Sequence, residues 1–209
     1  MGNNPIKYTD SDGREIENTE KTLIKTASSN LGKSDVKISS KGCVLTTYTR
    51  MASAILGQEI SLDNANKIAI KNNLYTGEKD KENLLIPESG SKLINAILSE
   101  NGETEKSVSF EGSFSNQEAL DKYKAASSSE DKYFASVRVK IENENGDKYE
   151  HTMNIDANAY KENACGGANL LVNDTSGVRT QLIDDPSGRK NTFQRMDFFK
   201  VNIKHNAEN

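Results

Sequence analysis

The spacing of the apolar residues changes part-way along the chain, and this change limits the possible folds more than any other feature. As far as residue 126, apolar residues recur every three or four positions, which is the spacing of helices with one face in a core. From residue 133 onward they alternate with polar residues, which is the spacing of strands. Helices followed by strands predict an α+β fold and argue against a parallel, doubly wound sheet.

Four helices are predicted in the first part of the chain. Residues 44–56 have apolar side chains along one helical face, and Gly57 suits the end of that helix. Ser61 is placed to cap a second helix through its side-chain oxygen. Two shorter helices are predicted over residues 89–98 and 116–126.

The second part of the chain predicts an antiparallel sheet. Residues 133–142 alternate as a strand with one buried face, and Asn145-Gly146 is the strongest short-range signal for a hairpin turn. The strand that pairs with residues 133–142 is predicted over residues 148–157. Two further strands are predicted over residues 168–174 and 196–203.

Composition indicates a folded domain with polar loops. Hydrophobic residues make up 34% of the 209 positions, and charged residues make up 28%. We expect a polar N-terminal arm over residues 1–36 and one globular domain over residues 37–209. The formal net charge of −4 argues against a general nucleic-acid binder, which normally has a basic face.

Neither a membrane span nor a metal site is expected. No apolar run approaches the roughly 18 residues that a spanning helix needs. The first residues lack the apolar core of a signal peptide, so we expect a protein that is cytoplasmic as synthesised. Two cysteines alone cannot build a four-ligand zinc site, two histidines argue against a histidine-rich metal site, and no cofactor is expected.

Cys43 is the first candidate for chemistry because it begins the predicted helix over residues 44–56. The positive end of the helix dipole favours the thiolate, which is the nucleophilic form of cysteine. Gly42 leaves room for a substrate carbonyl, and the backbone N–H of Cys43 is placed to stabilise an oxyanion. Considered alone, this position is better explained by a buried structural cysteine.

His151 and a polar pair at residues 173 and 174 supply candidates for the other roles. A histidine within a strand can take a proton from a thiol and return it to a leaving amine. The carboxylate of Asp174, or the amide of Asn173, can orient its ring. Each feature alone also has a structural explanation, such as a satisfied core histidine or a strand-ending turn. Cys165, in a predicted loop, and His205, near the C-terminus, are weaker candidates.

These residues, in the order Cys, His, Asp, follow the order of papain-like cysteine peptidases. The segment KGCVLTTYTRMASAILGQEISLDNANKIAIKNNLY resembles the region around the nucleophile in the bacteriocin-processing-like, or double-glycine-peptidase-like, branch of that superfamily. YEHTMNIDA followed by ANLLVNDTSG is similar to the histidine strand of that branch and the strand after it. The resemblance extends from about residue 38 to residue 178.

The resemblance implies a papain-like fold in which helices at the N-terminal side pack on a C-terminal antiparallel sheet. It assigns the nucleophile to Cys43, the general acid–base to His151 and the orienting carboxylate to Asp174, with Asn173 as the alternative. Related domains of this size often occur in phage or bacterial cell-wall hydrolases. A peptidoglycan peptide crosslink, cleaved by a monomer after release from the cell, is therefore the implied substrate. A leader peptide or a host protein is the alternative.

Three positions depart from the pattern of that branch: Lys37, Thr152 after the histidine, where an aromatic residue is common, and Thr175 after Asp174, where the branch has Pro. A Gln about six residues before the nucleophile usually donates to the oxyanion, but this chain has Lys37 there. Asn30, Lys37, Ser39 or Ser40 can replace it, and Asn30 is preferred because its amide is closest to that of Gln. The departure at Lys37 leaves open a catalytically silent binding module on the same fold. A transglutaminase-like acyl transfer by the same three residues is a further alternative.

Overall fold

The computed structural model describes residues 24, 26–77, 84–142, 145–155, 161–162, 168–169, 172–173 and 190–204. Within these ranges the chain forms helices and an antiparallel sheet, so the predicted α+β class is confirmed. The helices are α1 (Ile38–Lys41), α2 (Cys43–Leu56), α3 (Leu62–Lys71), α4 (Gly90–Glu100) and α5 (Asn116–Ser127), with a short 3₁₀ turn at Pro87–Ser89 before α4.

The helix boundaries follow local signals in the sequence. Gly57 ends α2 with φ of 69°, a left-handed conformation that glycine adopts without strain. The Ser61 side chain accepts a hydrogen bond of 3.3 Å from the backbone N–H of Asn64 and so caps α3. The four predicted helices are all present, and the one-turn helix α1 is an addition.

Seven strands lie within the described residues, and five of them form one sheet. They are β1 (Lys106–Phe114), β2 (Tyr133–Glu142), β3 (Lys148–Ile155), β4 (Lys161–Glu162), β5 (Ala168–Asn169), β6 (Val172–Asn173) and β7 (Lys190–Ile203). The sheet has the order β1-β7-β2-β3-β6, every neighbouring pair is antiparallel, and β4 pairs with β5 separately.

The predicted hairpin is confirmed, whereas β1 was not expected. Gly146 has φ of 82° in the turn between β2 and β3. The prediction that all helices precede the sheet is wrong at β1, which lies between α4 and α5. Alternation at Val108 and Phe110 was the available signal, but the chain bulges before Gly112, where φ is 135°.

Both faces of the sheet are covered by helices. Tyr48 on α2 packs edge-on against Phe199, with ring centroids 5.5 Å apart. On the other face, Tyr123 of α5 belongs to the cluster that contains Val137 and Phe198. Consecutive residues of β7 are therefore both fully buried. Alternation in the sequence predicts only one buried face for these strands, because it does not show that a second layer of helices covers the other face.

The described end of the predicted N-terminal arm packs on the helices. Leu31 is 1% exposed and belongs to the core between the helices and the sheet. The Asp63 carboxylate on α3 accepts hydrogen bonds from the backbone N–H groups of Ser28 (3.2 Å) and Ser29 (2.9 Å). Residues 26–36 are therefore held against the domain.

Candidate active site

The start of α2 is shaped by Gly42, which ends α1 and begins α2. The backbone N–H of Gly42 donates to the carbonyl of Ile38 at 2.7 Å. A Cβ at this position would lie 2.4 Å from the same carbonyl oxygen, so only glycine allows this close approach. Among the described residues no side chain caps α2 at Gly42, and Cys43 is the first residue of the helix.

The Cys43 thiol is joined to the His151 side chain by a hydrogen bond. The backbone N–H groups of Thr152 and Val44 also donate to the sulfur. Burial raises the pKa of Cys43, and it is the largest single influence. The hydrogen bond and the charge of His151, together with the two N–H groups, outweigh burial and lower the pKa below its usual value. The site therefore favours the nucleophilic thiolate.

Strand β3 is held against α2 by two hydrogen bonds next to this pair. Thr47 Oγ1 donates to the carbonyl of Thr152 at 3.5 Å. Asn154 Nδ2 donates to the carbonyl of Thr47 at 3.3 Å. Because Thr47 lies one helical turn after Cys43, these contacts place His151 beside the thiol.

A cavity of about 710 Å³ adjoins Cys43 and His151. Its lining includes the apolar residues Leu31, Leu84, Leu85 and Ile86 and, from β3, Tyr149. Cys43 is partly exposed and lines the cavity. The volume lies within the range of about 300–1,000 Å³ typical of small-ligand sites.

The structure distinguishes among the predicted oxyanion donors. Ser39 and Ser40 on α1 line the cavity, whereas Asn30 and Lys37 are not among its lining residues. Asn30 pairs with Lys37 in an isolated bridge, and its carbonyl accepts a 2.8 Å hydrogen bond from Asn66 Nδ2. The placement therefore favours a serine of α1 over Asn30 as the second donor.

The residue predicted to orient the ring of His151 lies only partly within the described residues. Asp174, and also Cys165 and His205, lie outside the described residues. The backbone of Asn173 pairs with Asn154 in the sheet, three residues along β3 from His151. That offset corresponds to about 10 Å along a strand. The structure thus brings together Cys43 and His151, and the orienting residue stays a prediction.

A polar row that sequence analysis missed crosses the sheet. Direct register partners join Ser113, Asp197, Ser136, Asn154 and Asn173, one from each strand. Ser136 is 0%, Asp197 3% and Asn154 9% exposed, so the centre of the row lies in the interior, whereas Ser113 at one end is exposed. In sequence these side chains look like the solvent-facing members of alternating strands. Only the tertiary packing identifies Ser136, Asn154 and Asp197 as buried.

Neither a metal site nor a membrane segment is found in the part of the chain that the structure describes. No three histidine, cysteine, aspartate or glutamate side chains there are grouped as metal ligands. No helix there has the length and apolar character that a membrane crossing requires.

No protein-family model matches the chain, and neither a curated protein nor a solved structure matches it. The chemistry proposed for the site therefore depends on the geometry of Cys43 and His151.

Proposed function

We propose that the protein is a papain-like cysteine peptidase that hydrolyses an amide bond. The observation that carries the proposal is the hydrogen-bonded pair of Cys43 and His151, which lies at a helix N-terminus beside a substrate-sized cavity. A structural cysteine has no need of a histidine partner or of a lowered pKa. The papain-like fold and the role of Asp174 are parts of the same proposal.

Two residues perform the chemical steps. The Cys43 thiolate attacks the amide carbonyl, and the tetrahedral oxyanion is stabilised by the Cys43 backbone N–H. His151 protonates the leaving amine, which breaks the C–N bond and leaves a thioester on Cys43. His151 then takes a proton from water, the resulting hydroxide attacks the thioester, and the acid product leaves. The cycle ends with the thiolate–histidine pair restored.

The proposed substrate is a peptide crosslink of peptidoglycan. The proposal for this substrate comes from the resemblance to cell-wall hydrolases. The cavity is compatible with it because an extended peptide needs both apolar walls and polar groups that fix its backbone. A leader peptide or a host protein is the alternative substrate. Both alternatives use the same attack by Cys43 on an amide.

The test is incubation of the protein with purified peptidoglycan and, separately, with casein. We expect released fragments from one of them, with mass spectrometry naming the cleaved bond. Cys43→Ala and His151→Ala should each abolish release, while Cys165→Ser should leave it unchanged. The free energy of unfolding of Cys43→Ala should stay within about 0.5 kcal/mol of the parent, because one small group is lost at a helix start.

Two results would contradict the proposal. Full hydrolysis by Cys43→Ala would remove the assigned nucleophile. No hydrolysis of either substrate, with equal alkylation of Cys43 and Cys165, would favour the catalytically silent binding module. Incorporation of an added amine in place of water would instead indicate acyl transfer by the same residues.

A further inference from the structure

The described residues that line the cavity carry more positive than negative charge. Lys41, Arg138 and Lys148 are the lysine and arginine side chains among them, and Glu150 is the carboxylate. Lys148 is paired with Glu142, with Nζ and Oε2 separated by 3.4 Å. The whole chain, in contrast, has a formal net charge of −4. A local excess of cations in an acidic protein favours binding of an anionic ligand at that place.

Arg138 is the most buried of these cations, and its ion-pair contact with a carboxylate is long. Its side chain is 16% exposed, and its nearest ion-pair contact within the described residues is Glu150, with Nη1 and Oε2 separated by 3.9 Å. The Glu150 side chain is 67% exposed, so water screens that pair. A buried guanidinium is costly unless a close anion compensates it.

The nearby carboxylates are bound by a different arginine. Arg195, the register partner of Arg138 on β7, donates from Nη2 to Glu88 Oε1 at 2.9 Å. Its Nε also lies 3.1 Å from Asp197 Oδ1. Arg195 is thus compensated by two carboxylates. Among the described residues, Arg138 shares the charge of Glu88 with Arg195, and its own ion-pair contact is the exposed Glu150, which can move into solvent.

Arg138 lies close to the reacting sulfur. It is the register partner of Thr152, whose backbone N–H donates to Cys43 Sγ. Neighbouring strands are about 4.8 Å apart, so the backbone of Arg138 lies one strand away from the N–H that contacts the thiol, and both side chains line the cavity. An extended substrate advances about 3.3 Å per residue. A group bound by Arg138 would therefore be within about two residues of the attacked carbonyl.

We infer that Arg138, supported by Lys41, binds a carboxylate of the substrate within about two residues of the scissile amide. The inference rests on the proposed peptidase function and adds a substrate class, the acidic peptides. Arginine suits this role because its planar guanidinium forms paired hydrogen bonds with a carboxylate. Glu150 occupies the subsite weakly in the free protein and is displaced by the substrate carboxylate.

The first test uses matched substrates. A casein peptide or muropeptide that the protein cleaves is synthesised in two forms, with one carboxylate near the scissile bond either free or converted to a carboxamide. We expect kcat/KM to be about 10- to 100-fold higher for the free carboxylate, as a charge-assisted hydrogen bond predicts. Equal hydrolysis of both forms at every position within two residues of the bond overturns the inference and leaves the peptidase assignment intact.

Variants then assign the preference to Arg138. Arg138→Gln should bring the ratio of the two kcat/KM values close to one, and Arg138→Lys should keep part of the preference. Lys140→Gln is the matched control, because Lys140 is exposed on the same strand and does not line the cavity. A preference that survives unchanged in a folded Arg138→Gln, or one lost equally in Lys140→Gln, contradicts the role of Arg138.

A binding measurement separates failure of this inference from failure of the proposed function. The Cys43→Ala protein is titrated with acetyl-Ala-Glu-Ala-amide and with acetyl-Ala-Gln-Ala-amide, by calorimetry or NMR. We expect tighter binding of the glutamyl peptide, which disappears in the additional Arg138→Gln variant. Tighter binding of the glutamyl peptide supports the carboxylate subsite even if the protein cleaves nothing. Equal binding of the two peptides overturns the subsite.

Discussion

Among single residues, Cys43 is the one whose protonation controls the proposed chemistry. Iodoacetamide reacts with the thiolate, so the alkylation rate rises with pH through the pKa of the thiol. Because hydrogen bonding and the charge of His151 lower this pKa, the midpoint in the native protein should lie below the ordinary value of about 8.5. His151→Ala should move the midpoint upward, since burial then acts with less opposition.

The control for this measurement is the same cysteine in the unfolded chain. Alkylation of Cys43 in denaturant, followed by mass spectrometry of its peptide, should have a midpoint near 8.5. If the native and denatured profiles coincide, Cys43 is an ordinary thiol. The contact with His151 would then have no chemical consequence.

The second donor to the oxyanion is also decided by single residues. Ser39→Ala and Ser40→Ala each remove a hydroxyl from the cavity wall, whereas Asn30→Ala changes a residue outside it. We expect one of the serine variants to lower kcat by about 10²–10³ with little change in KM. Asn30→Ala should leave kcat within about twofold. A large loss of kcat in Asn30→Ala, with both serine variants fully active, would restore the choice made from the sequence.

At the scale of elements, the junction of α1 and α2 sets the position of the nucleophile. Gly42→Ala would place a methyl group 2.4 Å from the Ile38 carbonyl oxygen and 2.7 Å from its Cγ2, so one helix must move. We expect the free energy of unfolding to fall by about 1–3 kcal/mol, as for other overpacked sites. Because Cys43 follows directly, alkylation and hydrolysis should also slow by about tenfold or more.

Gly57, at the other end of α2, offers a matched control. Gly57→Ala introduces strain at φ of 69° but meets no atom within 4 Å. It should cost about 1 kcal/mol of stability while leaving the reactivity of Cys43 unchanged. Chemical denaturation and alkylation rates measure both effects. Equal loss of reactivity in the two variants would show that general destabilisation of α2, and not the junction, is responsible.

At the scale of the whole molecule, Asp63 joins the N-terminal segment to the helices. Burial raises the pKa of Asp63, but hydrogen bonds from Ser29 and Ser28 outweigh burial and lower the pKa to about 2. Since its unfolded value is about 3.9, the carboxylate stabilises the fold above about pH 4. This contribution disappears as the pH falls through about 2.

Asp63→Asn should therefore lower the free energy of unfolding by about 1 kcal/mol at pH 7, after allowance for solvent screening. The difference from the parent should shrink as the pH is lowered toward 2, and chemical denaturation at several pH values measures it. Asp35→Asn is the control, because Asp35 is exposed in the same segment. Equal effects of the two variants at pH 7 would contradict the docking role of Asp63.

Much of the molecule was predictable because its signals are local. The helices over residues 44–56 and 89–98 were recognised from apolar residues three and four positions apart, since neighbouring turns determine which face is buried. The hairpin at Asn145-Gly146 was recognised because its turn requires positive φ. The position of Cys43 at a helix start was also predictable, because the apolar spacing that marks this helix is a local signal.

Other features depend on contacts between distant parts of the chain, and only the tertiary structure decided them. The central place of β7, between β1 and β2, pairs residues that lie far apart in sequence, such as Ser113 and Asp197. Ser136 and Arg138 were expected on a solvent-facing side, but the helices over that face bury the first and place the second in the cavity wall. Alternation reports only that two faces differ. What covers each face is settled when separate elements pack together.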